Sequence, residues 1–150
     1  MSSSVRAYRS SATEGASHID ILLACYDALV EAIRMAGIAV SKGDVASRCR
    51  YSERALLLIG HMESWIPLLD DPELATSLSS FYQYLRAEVL RLQLCRELDM
   101  FVNLALEVCE IRAAWQRKQT EGLAQSVTVA EPHLSFREHR DSTSHFEFSA

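Results

Sequence analysis

The sequence is poor in turn formers. Its 150 residues include only 5 glycines and 3 prolines, and the prolines fall at positions 67, 72 and 132. A β-rich chain of this length needs many more, so long helices are expected. No apolar run approaches the roughly 18 residues that span a bilayer. The start of the chain, Met1 to Arg9, lacks the apolar stretch of a signal peptide. A cytoplasmic protein without membrane insertion is therefore expected. Four cysteines, Cys25, Cys49, Cys95 and Cys109, are widely spaced and form no C-x-x-C pair. In the cytosol they read as small buried hydrophobes rather than disulfides or ligands. A basic stripe is also missing. Residues 1–118 hold 13 basic and 15 acidic side chains, and the whole chain carries a formal charge of −5. Nucleic-acid binding thus loses its main source of affinity.

Catalytic patterns are equally scarce. There is no Gly-x-Ser-x-Gly, no phosphate-cradling glycine loop, and no Glu three residues before any histidine. The last absence removes the carboxylate–histidine pattern of a di-iron bundle. His61 stands alone. His133, His139 and His145 recur every six residues in a polar stretch and read as tail residues. No enzyme activity, metal or cofactor is expected.

What the chain does have is helical periodicity, with 49% hydrophobic residues to bury. Ile19, Leu22, Tyr26, Leu29, Ile33, Ala36 and Val40 follow one another at steps of three and four, a seam held for three heptads. Ser17 offers an N-cap hydroxyl before it. Lys42-Gly43-Asp44 then combines a helix stop with a cap for the next helix. The second seam reads Val45, Cys49, Ser52, Leu56, Ile59 and Ile66, and ends near Pro67. Asp71-Pro72-Glu73 starts a third helix, with a cap, a proline at the first helical position and an acid in the first turn. Its seam reads Leu74, Leu78, Phe81, Leu85, Val89 and Leu92. A fourth follows with Phe101, Leu104, Val108, Ile111 and Trp115. No Gly or Pro marks their junction, but one helix over 72–118 would run about 70 Å at 1.5 Å per residue. A break near 94–97 is expected on that ground. The fold class is all-α: an antiparallel four-helix bundle over 18–118, with a flexible N-terminal arm over 1–17 and a C-terminal tail over 119–150. The tail includes a short extended piece at Ser126–Val129.

Aromatic placement is unusual. Phe81-Tyr82-Gln83-Tyr84 sets bulky groups all around one helical turn, more than a core can take. A groove that accepts a partner's amphipathic helix would use them.

Several motifs together resemble the flagellar secretion chaperone family FliS. Ala7-Tyr8 matches an Ala-Tyr in the family's N-terminal arm. Cys25-Tyr26-Asp27-Ala28 keeps the Tyr-Asp of a Leu-Tyr-Asp-Gly motif. Lys42-Gly43-Asp44 matches the first loop, Phe81-Tyr82-Gln83-Tyr84 a Leu-Tyr-Asp-Tyr core, and Glu110-Ile111-Arg112-Ala113-Ala114-Trp115 a Glu-Leu-Arg-x-x-Trp ending. The likeness covers about residues 5–118. It implies a cytosolic export chaperone, not an enzyme, that holds the C-terminal helical segment of flagellin, prevents premature polymerisation and aids delivery to the flagellar export gate. It leaves room for a homodimer. A helical adaptor or dimerisation module is the alternative. The residues expected to meet the partner are Tyr8, Ile21, Leu22, Tyr26, Asp27, Tyr82, Tyr84 and Arg112. Tyr8 would anchor the arm, and Ile21 and Leu22 would line the arm or client contact. Tyr26 is read as mainly core. Tyr82 and Tyr84 are read as partner surface, with Phe81 and Leu85 in the core. The tail's Phe136, Phe146 and Phe148 would either dock on the bundle or stay free of it.

Overall fold

Two of the three loops of the bundle are written by short-range chemistry. The computed structural model describes the backbone of residues 2–144 and the side chains of residues 18–122. Helix α1 spans Ser2–Ser41. It stops at Gly43, whose φ of 69° is the left-handed conformation that glycine adopts without a Cβ penalty. Asp44 caps helix α2, Val45–Glu63, by accepting a hydrogen bond from the Ser47 N–H at 3.0 Å. A 3-10 turn at Ile66–Leu68 holds Pro67. Asp71 then caps helix α3, Pro72–Leu92, by accepting from the N–H groups of Glu73 and Leu74. Helix α4 spans Leu98–Ser144. The break between α3 and α4 falls where chain length demanded it.

The core joins all four helices. Leu29 and Ile33 of α1 meet Ile59 and Met62 of α2, Leu85 and Val89 of α3, and Phe101 and Val108 of α4. Burying each such side chain is worth roughly 1.5–3 kcal/mol before entropy is counted. At Gly37 helices α1 and α4 approach closely. A Cβ there would sit 2.8 Å from Phe101 Cβ and 2.9 Å from Leu98 Cδ1. Between α2 and α3, Arg86 donates to Glu63 at 2.5 Å.

Some expectations are corrected. The centre of the α2 seam is Ala55, with Leu56 half-buried against the core beside it. The centre of the α3 seam is Tyr82, with Phe81 half-buried against the core beside it. Steps of three and four residues back from Leu85 both satisfy a heptad, and the buried hydroxyl partner described below favours three. Cys49 and Cys109 are exposed, since each falls on an outward helical face; Cys25 and Cys95 are half-buried, and all four are free thiols.

Backbone over residues 2–17 is helical, so Ser17 is interior and caps nothing. Once a packed helix exists, each added residue gains a hydrogen bond at little nucleation cost, and no proline stands in the way. Beyond Lys118 the backbone is helical through Ser144, with no extended piece at 126–129. The chain divides into units Met1–Trp115 and Gln116–Ala150, and the bundle core lies in the first. The side chains of Tyr8, His133, Phe136, His139, His145, Phe146 and Phe148 lie outside the described residues.

Candidate functional site

At one end of the bundle lies an apolar cleft of about 260 Å³. Its walls come from His18, Ile19 and Leu22 on α1 and from Trp65, Ile66, Leu68 and Leu69 around the 3-10 turn. Leu78 and Tyr82 of α3, Met62 of α2 and Trp115 of α4 complete it. Proline fixes the turn geometry, and the short turn cannot bury its own apolar side chains. Leu68 is consequently 75% exposed on the rim. His61 stands edge-on to Trp65, with ring centroids 5.0 Å apart.

Tyr82, read from the sequence as partner surface, is instead 1% exposed and forms part of the floor. Its hydroxyl lies 2.8 Å from that of Tyr26, which is fully buried. The Trp115 indole hydrogen-bonds the Tyr26 hydroxyl as well. An indole N–H can only donate, so Tyr26 accepts from Trp115. The Tyr26 hydroxyl is thus the middle member of the trio, with Tyr82 on one side and Trp115 on the other. Burial pushes both phenols above the usual tyrosine range; for Tyr26, the hydrogen bonds from Tyr82 and Trp115 offset part of that rise. Three aromatic side chains far apart in sequence thereby satisfy one another's polar atoms beneath an apolar opening.

The remaining expected residues sit elsewhere. Asp27 is exposed and pairs with Arg112 across the α1–α4 interface, where Arg112 Nη2 donates to Asp27 Oδ2 at 3.1 Å. Ile21 is exposed and outside the cleft lining. Tyr84 is exposed on the α3–α4 face and donates to Glu107 at 2.8 Å, which raises its pKa. The cleft thus brings together Leu22 and Tyr82, rests on Tyr26, and does not include Ile21, Asp27, Tyr84 or Arg112.

Sequence reasoning missed Trp65, Leu68 and Leu69. The signal was present: Trp65-Ile66-Pro67-Leu68-Leu69 is an apolar run interrupted by proline, which cannot all be buried within a helix. Among the described residues, no group of three or more His, Cys, Asp or Glu side chains could hold a metal ion. No described helix is long and apolar enough to cross a membrane.

A sequence profile described as Flagellar protein FliS matches residues 1–122. Among curated proteins, none matches the chain.

Proposed function

The chain belongs to the flagellar protein FliS family, a family of export chaperones rather than enzymes, and from that premise we propose that it binds the C-terminal segment of flagellin in the cytosol. That segment must bury an apolar stripe in the filament. Left uncovered beforehand, the stripe would drive premature association. The observation that carries the proposal is the apolar cleft, with exposed Leu68 on its rim and half-buried Leu22, Trp65 and Trp115 in its walls. It fits apolar anchors of an amphipathic segment that folds as it docks. Residues 18–118 are the chaperone domain in this reading, with Tyr8 in the 1–17 arm covering client surface. The complex then delivers its client to the export gate.

Seeded polymerisation of flagellin from the same genome tests the reading. The protein should suppress filament growth at equimolar concentration. Leu22→Asp places a charge in the cleft wall and should abolish suppression while the helical circular-dichroism signal persists. Unimpeded growth with the unaltered protein would refute the proposal.

A further inference from the structure

Helix α4 is apolar on two faces. Phe101, Leu104 and Val108 lie in the core. On the outward face, Val102, Leu106, Cys109 and Ala113 follow one another at steps of four, three and four, the heptad spacing of a helix seam. All four are exposed, Leu106 at 57% and Val102 at 40%. The solvent face of a surface helix normally carries charge, and α2 follows that rule with exposed Arg50, Glu53 and Arg54. Between Leu98 and Trp115, α4 has only four charged side chains. Two of them are engaged away from the seam: Glu107 accepts from Tyr84, and Arg112 pairs with Asp27. At 100° per residue, the other two, Asp99 and Glu110, share one flank of the seam with Asn103.

The spacing indicates what covers the seam. Steps of four, three and four read the same in both directions, so the seam matches an antiparallel copy of itself about a two-fold axis. In that register Leu106 lies opposite the partner's Cys109, and Val102 opposite the partner's Ala113. Each larger side chain thus meets a smaller one, the alternation that fills an interface evenly. On the polar flank, Asn103 comes beside the partner's Glu110, an amide donor next to a carboxylate. On the other flank Arg112 adds no unbalanced charge, because Asp27 neutralises it.

We propose that the outward face of α4 is a self-association surface, through which two copies of the chain pair antiparallel in a reversible homodimer. The seam from Val102 to Ala113 is about 16 Å long at 1.5 Å per residue. An interface of that length falls below the roughly 1,200 Å² of standard-size interfaces, in the range of weak, exchanging pairs. The seam uses no residue of the apolar cleft and does not depend on what the cleft binds.

Sedimentation equilibrium of the full chain tests the pairing. The weight-average mass should rise from 16.9 kDa toward twice that value between about 5 and 500 μM, the span of a weak pair. Leu106→Glu changes an already exposed position, leaves folding intact by circular dichroism, and should hold the protein at the monomer mass. Asn103→Lys sets a cation beside the partner's Glu110 and should tighten the dimer by about threefold, a gain that about 0.5 M salt should remove. A mass that stays constant over the whole range would overturn the proposal, and loss of flagellin-peptide binding in Leu106→Glu would then give the seam to the client. A dimer that Leu106→Glu leaves intact would overturn the choice of surface, and no gain from Asn103→Lys would overturn the antiparallel register.

Discussion

Tyr26→Phe and Tyr82→Phe should not cost the same, although both delete one buried hydroxyl from one hydrogen-bonded pair. The number of partners fixes the difference. The Tyr26 hydroxyl meets both Trp115 and Tyr82, whereas Tyr82 joins the trio through Tyr26. Removing the Tyr82 hydroxyl takes one of two partners from Tyr26 and should cost about 1–2 kcal/mol. Removing the Tyr26 hydroxyl takes it from Trp115 and Tyr82 together, so about 2–4 kcal/mol is expected. Phenylalanine keeps the ring, so no large cavity adds to either figure. For a chain of this size about 1 kcal/mol moves the melting temperature by roughly 4 °C. Tyr82→Phe should therefore lower it by about 4–8 °C, and Tyr26→Phe by about 8–16 °C. In the double variant the stranded Tyr82 hydroxyl is gone, so the losses should fall short of additivity by about 1 kcal/mol. Thermal unfolding followed by circular dichroism at 222 nm reads all three. Equal losses for the single variants, or strict additivity in the double, would refute this central place of Tyr26 beneath the cleft.

Other consequences follow from particular contacts. Gly37→Ala gains helix propensity of about 1 kcal/mol but drives a methyl to within 3 Å of Phe101 and Leu98; overpacking should win, with a net loss of about 1–2 kcal/mol in urea denaturation. The phenols of Tyr26 and Tyr82 should stay protonated as pH rises past 10, while those of the unfolded chain ionise near that value. Folded pKa values raised above the unfolded ones give stability that is full below about pH 10 and is lost as pH climbs toward the folded values. Absorbance at 295 nm should accordingly show two of the 5 tyrosines titrating only with unfolding, and replacing both by Phe should flatten the alkaline loss. Both tryptophans of the chain, Trp65 and Trp115, line the cleft. Their emission should shift to the blue when client fills it, and Leu22→Asp should abolish the shift.

The parts of the fold legible in the sequence are those decided within a few residues. Gly43-Asp44 and Asp71-Pro72 each carry their own stop and cap, and both stand where they were read. The α3–α4 break has no such local mark and was legible only through the length a compact bundle allows. Helix phase was less secure. A heptad permits steps of three or four, so Phe81 and Tyr82 competed for one core position, and the choice depended on Tyr26, 56 residues away. Likewise Ala55 is more deeply buried than the more hydrophobic Leu56, because helix phase rather than hydrophobicity decides which of two neighbours faces the core. In the site, Leu22 and the Tyr26 core role could be read from periodicity. The pairing of Asp27 with Arg112 could not, since 85 residues separate them. The Trp65–Leu69 rim was hidden because apolar residues beside a proline look like a loop until the fold shows what surrounds them.

Calorimetric titration of the full chain with a peptide spanning roughly the last 40 residues of flagellin from the same genome tests the central claim most directly. The account predicts a 1:1 complex, a large negative heat-capacity change from apolar burial, and a gain of helix in the peptide. Absence of binding to a well-folded bundle would contradict it.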